Sequence, residues 1–541
     1  MTSKKCETHD KSLEQEVRRL NQIGIALSAE HDKLQLLELI LSSARELTGA
    51  DAGTLYLLDA QAQSLRFALV QNDQLGLYMG GHQQPGVALF KPISLYLDDG
   101  QPNEKLVVAW SVLHKQTMRI ADAYDNSDFD FSGTRTFDQQ SGYRSRSFLT
   151  VPLVNHEGEV FAALQLINKL SLGAVVAFSE TDQELAESLA SQAAVALTNQ
   201  RLIEEMQTLF DSFTRVLATA IDKKSPHTGN HCRRVPDATL FLAEAVSASN
   251  HPAVKDFVMS ESDFYELKTA AWLHDCGKVV TPHHVMEKSR KLETVFDRIE
   301  LVAARIEILL RDLEIQQIKQ VSMGEVQDRV AVRKAQLLDD LAFLRQVNVG
   351  REFTTDEDVM RIQQLAELTW TDCNGVTQQL LTDDEKMNLS IRRGTLNAQE
   401  RQIMNDHMVA TLDMLEQLPF PKHLQRVPEY AGCHHERMDG KGYPRGLKRE
   451  EMSIPARVMG IADVFEALTA KERPYKEPMR LSQALMIMGR MVEDNHLDPD
   501  LFAVFVEEKV YLRYADVHLA PEQIDAVDIN SLPGLNKEHH G

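Results

Sequence analysis

The sequence predicts a multidomain chain with an α+β amino-terminal domain, a long coiled-coil linker helix, and an all-α carboxy-terminal domain with an inserted helical hairpin. Three observations predict it. A chain of 541 residues, 43% hydrophobic and 26% charged, is too long for one hydrophobic core and too apolar for a disordered polymer. Short β-branched and aromatic runs are confined to residues 53–168. From Glu184 to the residue before Pro226 an apolar period of seven runs without proline, and beyond it helix formers dominate.

Residues 12–30 and 34–47 read as helices, the second amphipathic. GTLYLLD, SLRFALV, SFLTVPLV and VFAALQLIN then alternate with turn signals, as an antiparallel sheet requires. In the next segment Leu189, Ala196, Ile203, Phe210 and Leu217 lie seven apart, and Met206, Phe213 and Ala220 fill interleaved positions together with Asn199. That pattern fits a dimeric coiled coil whose buried Asn sets the register, and it also fits one amphipathic helix packed on its own domain. Leu292, Ile299, Ile306 and Leu313, with Phe296, Ala303 and Leu310 beside them, form a second repeat, and Val330, Leu337, Leu341 and Leu344 resume it after SMGE. A charged helical hairpin protruding from its domain is the expectation. The expected divisions are a helix over 1–30, an α+β domain over 31–183, the linker over 184–224, a helical domain over 225–515 with an insertion over 285–395, and a tail over 516–541.

Charge and cysteine use narrow the function. The balance of 58 basic and 80 acidic side chains gives −22, which repels polyanions and argues against a nucleic-acid polymer as partner. No apolar run approaches a membrane span of about 20 residues, and the first residues lack the hydrophobic region of a signal peptide. Five cysteines (Cys6, Cys232, Cys276, Cys373, Cys433) form no CxxC pair and are odd in number, so a reducing, cytoplasmic setting is expected.

Metal-type ligands concentrate in five islands of the second half: His227 with His231, His274-Asp275 with Lys278, His407, His434-His435, and Asp463. A single such histidine is usually a structural residue; the set points to an open catalytic site. Imidazole and carboxylate hold iron, manganese or zinc, and the lack of clustered thiolates argues against structural zinc and iron-sulfur centres. Adjacent His274 and Asp275 can reach two neighbouring metals with the carboxylate between them, and two ions about 3.5 to 4 Å apart can clamp a phosphodiester for in-line attack. Lys278, three residues from Asp275, can neutralise the phosphate or assist the leaving oxygen.

The ordered pattern H-x43-HD-x2-K, then His407, HHERMDGKGYP and IADVFEALTAKERPYK resembles the HD-GYP phosphodiesterases, a branch of the HD metal-dependent phosphohydrolases. The resemblance runs from about Phe213 to Glu508. It implies that His231, His274, Asp275 and Asp463 hold one divalent metal and that Asp275 bridges to a second held by His407, His434 and His435, with iron or manganese the expected pair. Members that bind a third metal carry a glutamate one turn before the first histidine; here that place is His227, an imidazole that can ligate or merely pack. The resemblance also implies that Tyr443 stacks on a base and Lys441 meets a phosphate, and that Arg473 and Lys476 serve the dinucleotide's phosphates, although the spacing from Asp463 is one residue longer than in compact members. Roughly a hundred residues beyond the compact core are assigned to the insertion. The implied substrate is cyclic di-GMP or 3′,3′-cyclic GMP-AMP; the rivals are a general HD nucleotide phosphohydrolase and a non-catalytic dinucleotide sensor.

Residues 31–200 resemble a GAF domain, a small-molecule sensing fold. Asn168-Lys169, Phe178 and Asp182 are similar to the NK, F, three residues, DE signature of cyclic-nucleotide-binding members, with Gln183 in place of the glutamate. Such residues can lock a ligand lid through a Lys to Asp pair or fix a loop. The expected assembly is a homodimeric signalling hydrolase joined through the linker.

Overall fold

The computed structural model describes residues 18–535 apart from 31, 60, 82–89, 225–229, 320–323, 351–352 and 472–477. It divides into two compact units, Met1–Leu209 and Phe210–Gly541. In the first, α1 (18–29) and α2 (Lys33–Thr48) precede the sheet. Leu36, Leu37, Ile40, Leu41 and Ala44 recur at helical spacing, so α2 turns one apolar face into the core, and Asp32 caps its start by accepting from the Gln35 N–H.

The strands are β1 (Ala50–Asp59), β2 (Ser64–Asn72), β3 (Leu77–Met79), β4 (Ile93–Ser94), β5 (Met118–Ile120), β6 (Phe148–Val154), β7 (Val160–Ser171) and β8 (Ala174–Val176). All pairings are antiparallel in the order β3-β2-β1-β7-β6-β5, with β4 on β2 and β8 on β7. Helices α3 (Val107–His114) and α4 (Ser132–Ser141) interrupt the strand sequence. The expected antiparallel α+β domain is therefore present, and the four apolar runs read from sequence fall in β1, β2, β6 and β7.

Helix α5 (Glu180–Lys224) is a single element of 45 residues. Leu189, Ala193 and Leu197 join the core of the first unit, while Ala218 and Ile221 join that of the second, with Phe210 and Leu217 packed against it. Of the repeat singled out from sequence, Leu189, Ala196, Phe210 and Leu217 face the chain's own cores, while Ile203, Met206 and Phe213 are exposed.

The second unit holds α6 (His231–Ala248), α7 (Glu261–Leu273), a 3-10 turn (Cys276–Val279) and α8 (His283–Met286), followed by the insertion and a further set of helices. The insertion consists of α9 (Ile299–Lys319), α10 (Gly324–Asn348), α11 (Asp356–Ala366), a small hairpin of β9 (Thr369–Thr371) and β10 (Thr377–Gln379), and α12 (Asp383–Leu389). Leu292, Ile299, Ile306, Leu337, Leu344 and Ile362 give it a core of its own. The helical hairpin matches the sequence reading. The β-hairpin does not, because three-residue strands are too short to carry an alternating signal.

The chain returns through α13 (Ala398–Asn405), α14 (His407–Glu416), α15 (Val427–Gly432), α16 (Ile454–Thr469), α17 (Leu481–Glu493), α18 (Pro499–Glu507) and α19 (Val510–His518). Leu242, Leu267, Tyr430, Phe465, Phe502 and Phe505 lie in one shared core. The segment read as a tail packs on it: Leu532 is buried, and the Gln523 amide donates to the carbonyls of Thr469 and Met479.

Candidate metal centre

Each metal-type side chain is delivered by a helix end or a buried helix face. Ala270, Ala271 and Leu273 are buried, so α7 drives its C-terminus into the interior, and His274 and Asp275 follow at once. His231 opens α6, His407 opens α14, and Asp463 lies on the buried face of α16. Gly277 brings the halves together: a Cβ there would lie 2.0 Å from the His407 carbonyl oxygen and 2.5 Å from the Thr411 nitrogen, so only glycine admits this approach of the turn to α14. The Gly277 N–H also donates to Thr411 Oγ1 at 2.9 Å.

The Asp275 carboxylate sits between two sets of ligands. Its Oδ2 lies 3.4 Å from His231 Nε2 and 3.2 Å from His274 Nε2, while Asp463 Oδ1 is 3.2 Å from His231 Nε2. Its Oδ1 faces the other way, 3.4 Å from His407 Nε2 and 4.0 Å from His434 Nε2. The ligand atoms of His231, His274 and Asp275 lie within 4.8 Å of one another, as do those of His407, His434 and His435.

These donors fit divalent cations. Asp275 Oδ1, His407 Nε2 and His434 Nε2 are buried polar atoms without a hydrogen-bond partner, which is costly unless a cation serves them. The opposite ring nitrogens are anchored on carbonyl oxygens: His274 Nδ1 on Ala271 (2.7 Å), His407 Nδ1 on Met404 (2.5 Å) and His434 Nδ1 on Ala431 (2.7 Å). That arrangement fixes the tautomer that turns the Nε2 lone pair inward.

Electrostatics agree. Burial works against ionisation at Asp275, but Lys278 and His274 outweigh it and hold the carboxyl well below its ordinary value. Asp463 is lowered in the same way, its burial overcome by the hydrogen bond from His231 and the nearby His434. Burial, together with the neighbouring His435 and His274, pushes His434 well down, and burial pushes His435 down to about 4, so both present neutral imidazole. His231 goes up despite burial because Glu466, Asp275 and Asp463 surround it. A cation held by His231, Asp275 and Asp463 would compete with that proton.

The profile described as GAF domain matches residues 32–197, and the one described as HD domain matches residues 383–501. The chain carries a GAF domain followed by an HD domain. Over 80 residues, 15% of this chain and 18% of the relative, it is 49% identical to the 3'3'-cGAMP-specific phosphodiesterase 1 of Vibrio cholerae. Over 94 residues, 17% of this chain and 25% of the relative, it is 40% identical to the cyclic di-GMP phosphodiesterase of Thermotoga maritima. The chain thus spans a quarter or less of the length of these two curated relatives. A solved GAF domain of a phosphoenolpyruvate-protein phosphotransferase from Coxiella burnetii is 16% identical, covering 35% of this chain and 96% of that one at a TM-score of 0.27.

In the second unit, Lys278 Nζ donates to Asp275 Oδ2 at 2.6 Å, so in this structure the lysine serves that carboxylate. Tyr443 stacks on His435 with centroids 4.9 Å apart, and Lys441 is exposed beside Asp439, 3.4 Å away. His227, Arg473 and Lys476 lie outside the described residues. Glu466, Glu436 and Lys224 support the site and escaped the sequence reading. Glu466, fully buried, pairs with His231 Nδ1 and takes the Arg234 guanidinium at 2.7 Å. Glu436 accepts from the N–H groups of Arg445, Gly446 and Leu447 and so pins the loop bearing Tyr443; Gly442 passes so close that a Cβ would sit 2.4 Å from the Arg437 nitrogen. Lys224, at the end of α5, donates to the carbonyls of Lys278, Val279 and Thr281 and braces the 3-10 turn. Only a carboxylate one turn after Asp463 hinted at Glu466, and such spacing is common on any helix.

In the GAF domain Lys169 pairs with Asp182 at 2.5 Å, and Asp182 also accepts from Ser179 N–H and hydroxyl. Asn168 accepts from the Arg146 and Ser147 N–H groups and donates to the Arg144 carbonyl. Neither these two residues nor Phe178 and Asp182 line the cavity of about 370 Å³ in this domain, which is bounded by Tyr56, Phe67, Phe90, Phe131, Tyr143 and Gln165 among others. Among the described residues no helix is long and apolar enough to cross a membrane.

Proposed function

We propose that the chain is a metal-dependent phosphodiesterase acting on a cyclic dinucleotide, cyclic di-GMP or 3′,3′-cyclic GMP-AMP. The observation that carries this reading is the single buried carboxylate, Asp275, whose two oxygens face two separate imidazole-rich groups. The sequence likeness to phosphodiesterases of both substrates supports it. His231, His274, Asp275 and Asp463 would hold one cation, and Asp275, His407, His434 and His435 a second, with iron or manganese suited to this donor set and His227 available to a third. Two such ions supply Lewis acidity at the phosphate and make water a nucleophile at neutral pH.

The remaining chemistry is the chain's own. Lys278 holds the orientation of Asp275 and, with its ammonium kept charged by that carboxylate, offers a donor to a phosphate or to the leaving 3′-oxygen. Tyr443, fixed over His435 by the loop that Glu436 pins, presents an aromatic face for a base. Lys441, Arg473 and Lys476 would meet the second phosphate. The test is product analysis of the full chain, loaded with iron or manganese without oxygen, against both cyclic dinucleotides and a panel of nucleotide monoesters. Turnover of a cyclic dinucleotide is expected. Turnover of monoesters alone would favour a general nucleotide phosphohydrolase, and binding without turnover at full metal content a sensor.

The cavity of the GAF domain favours a second activity, the binding of a small molecule, because aromatic walls surround unfilled space there. Cyclic mononucleotides are the first ligands to try. A rise in melting temperature with cyclic AMP or cyclic GMP would support them, and none at millimolar ligand would exclude them.

A further inference from the structure

The cavity of the first unit is aromatic on its lining and acidic around it. Tyr56, Phe67 and Phe90 follow one another along the lining with ring centroids 4.8 and 4.9 Å apart, and Phe131 meets Phe148 at 5.3 Å. Such faces suit a flat ring system. Among the described residues no lysine, arginine or histidine lines the cavity, and the sequence of 82–89, outside them, holds no lysine or arginine. Of the described lining residues only Asp130 carries a charge, and it is exposed where the cavity opens. Its Oδ1 accepts the Ser132 N–H at 2.8 Å, so the chain's own carboxylate already stands at the start of α4, where helix-end amides could otherwise hold an anion. Two buried carboxylates lie directly behind the lining. Asp51 accepts from the hydroxyl of the lining residue Tyr143 at 2.6 Å, and Asp138 accepts from the N–H and the hydroxyl of the lining residue Ser145, each at 2.8 Å. The Arg45 guanidinium donates to the lining residue Gln71 at 3.1 Å, but it is paired with Asp73 at 2.6 Å and brings no uncompensated positive charge.

We infer that this cavity takes a flat aromatic ligand bearing no negative charge, with any positive group on it facing Asp130; the inference rests on the reading of the cavity as a small-molecule site. An anion entering it would give up its water, meet no basic partner on the described lining, and stand close to Asp51, Asp130 and Asp138. Burial pushes the Tyr56 phenol up, and burial together with Asp51 pushes that of Tyr143 up, so both present neutral rings. An uncharged ring system gains from leaving water for these walls, and a cationic one gains further from the aromatic faces and the carboxylate at the opening. A volume of about 370 Å³ is in the ordinary range for a small-molecule site. Cyclic mononucleotides each carry an ionised phosphate, so they should bind more weakly here than the uncharged nucleosides. Lys169, the cation of the cyclic-nucleotide signature, is paired with Asp182 and does not line the cavity.

The test is isothermal titration of the full chain with naphthamide, naphthamidine and naphthoate of the same ring attachment, which differ in charge and little in shape. Phe90→Ala, at a half-buried ring of the lining, assigns the heat to the cavity and should weaken naphthamide at least about 10-fold. Naphthamide and naphthamidine should bind, and naphthoate at least about 100-fold more weakly than naphthamide. Asp130→Asn keeps an acceptor for the Ser132 N–H at an exposed position, so the fold should survive, as an unchanged melting temperature would show. This variant should weaken naphthamidine about 5-fold and leave naphthamide as it was. Naphthoate bound as tightly as naphthamide and lost in Phe90→Ala, or naphthamidine indifferent to Asp130→Asn, would overturn the inference while leaving the cavity a ligand site. If none of the three gives a heat that Phe90→Ala removes, at millimolar concentration, the reading of the cavity as a small-molecule site falls, and this inference with it.

Discussion

Replacing Gly277 by alanine probes the contact that holds the two halves of the metal centre together. The added Cβ would lie 2.0 Å from the His407 carbonyl oxygen, 2.5 Å from the Thr411 nitrogen and 2.7 Å from Thr411 Oγ1. An ordinary contact needs about 3.4 Å, so the turn and α14 must separate by roughly 1.4 Å. Two of the three clashing atoms are backbone, and a rotamer change relieves neither. Overpacking of this kind costs about 1 to 3 kcal/mol of stability, or several degrees in the melting temperature. The larger effect is functional. Asp275 Oδ1 stands 3.4 Å from His407 Nε2, and moving the two apart by an ångström or more takes His407 out of reach of a cation shared with Asp275. Misplacement by about 1 Å commonly costs 10²-fold in rate. Gly277→Ala should therefore melt lower, bind less than its full metal, and lose about two orders of magnitude of turnover, as measured by calorimetry, metal analysis and product chromatography. Gly133→Ala is the control, because a Cβ there meets nothing within 4 Å. Wild-type melting and full metal content in Gly277→Ala would refute the argument that this glycine sets the spacing of the site.

Asp275→Asn keeps the shape and removes the charge between the two ligand groups, so bound metal should fall by more than half and turnover by about 10²-fold or more; unaltered metal content would contradict a shared carboxylate. Glu466→Gln should weaken metal affinity by about 10- to 100-fold in a direct metal titration while the fold persists, because the carboxylate that orients His231 is lost; wild-type affinity would reduce Glu466 to a packing residue. Lys291 is fully buried and donates to Thr354 Oγ1 and to the carbonyls of Leu389 and Ile391, and burial brings it down to about 8 from 10.5. Between those values the unfolded chain holds a proton that the folded insertion has released, so stability should rise with pH from about 8 to 10.5; in Lys291→Met this part of the pH dependence of melting should vanish.

The residue types of the candidate metal centre were legible in the sequence, while their division into two sets was only what the family resemblance implies. His274 and Asp275 are adjacent, His434 and His435 are adjacent, and neighbouring donors at a buried helix end have few destinations other than one cavity. The four strand runs, the long helix and the helical hairpin were legible too, because each is a local periodicity that the chain expresses wherever it folds. What holds the ligands was not. Glu466 acquires its meaning from His231, 235 residues earlier, and Glu436 from three N–H groups of a loop whose path depends on Gly442. A carboxylate reads the same in sequence whether it meets water or an imidazole, and only tertiary packing chooses between them. The helix α5 shows the same division. Ile203, Phe210 and Leu217 share a seven-residue spacing with Leu202, Leu209 and Val216, and periodicity cannot rank two adjacent stripes. The fold ranks them by covering Phe210 and Leu217 with the chain's own core and leaving Leu202, Leu209 and Val216 in solvent. Periodicity follows from the order of residues alone; which face is buried depends on where the rest of the chain comes to rest.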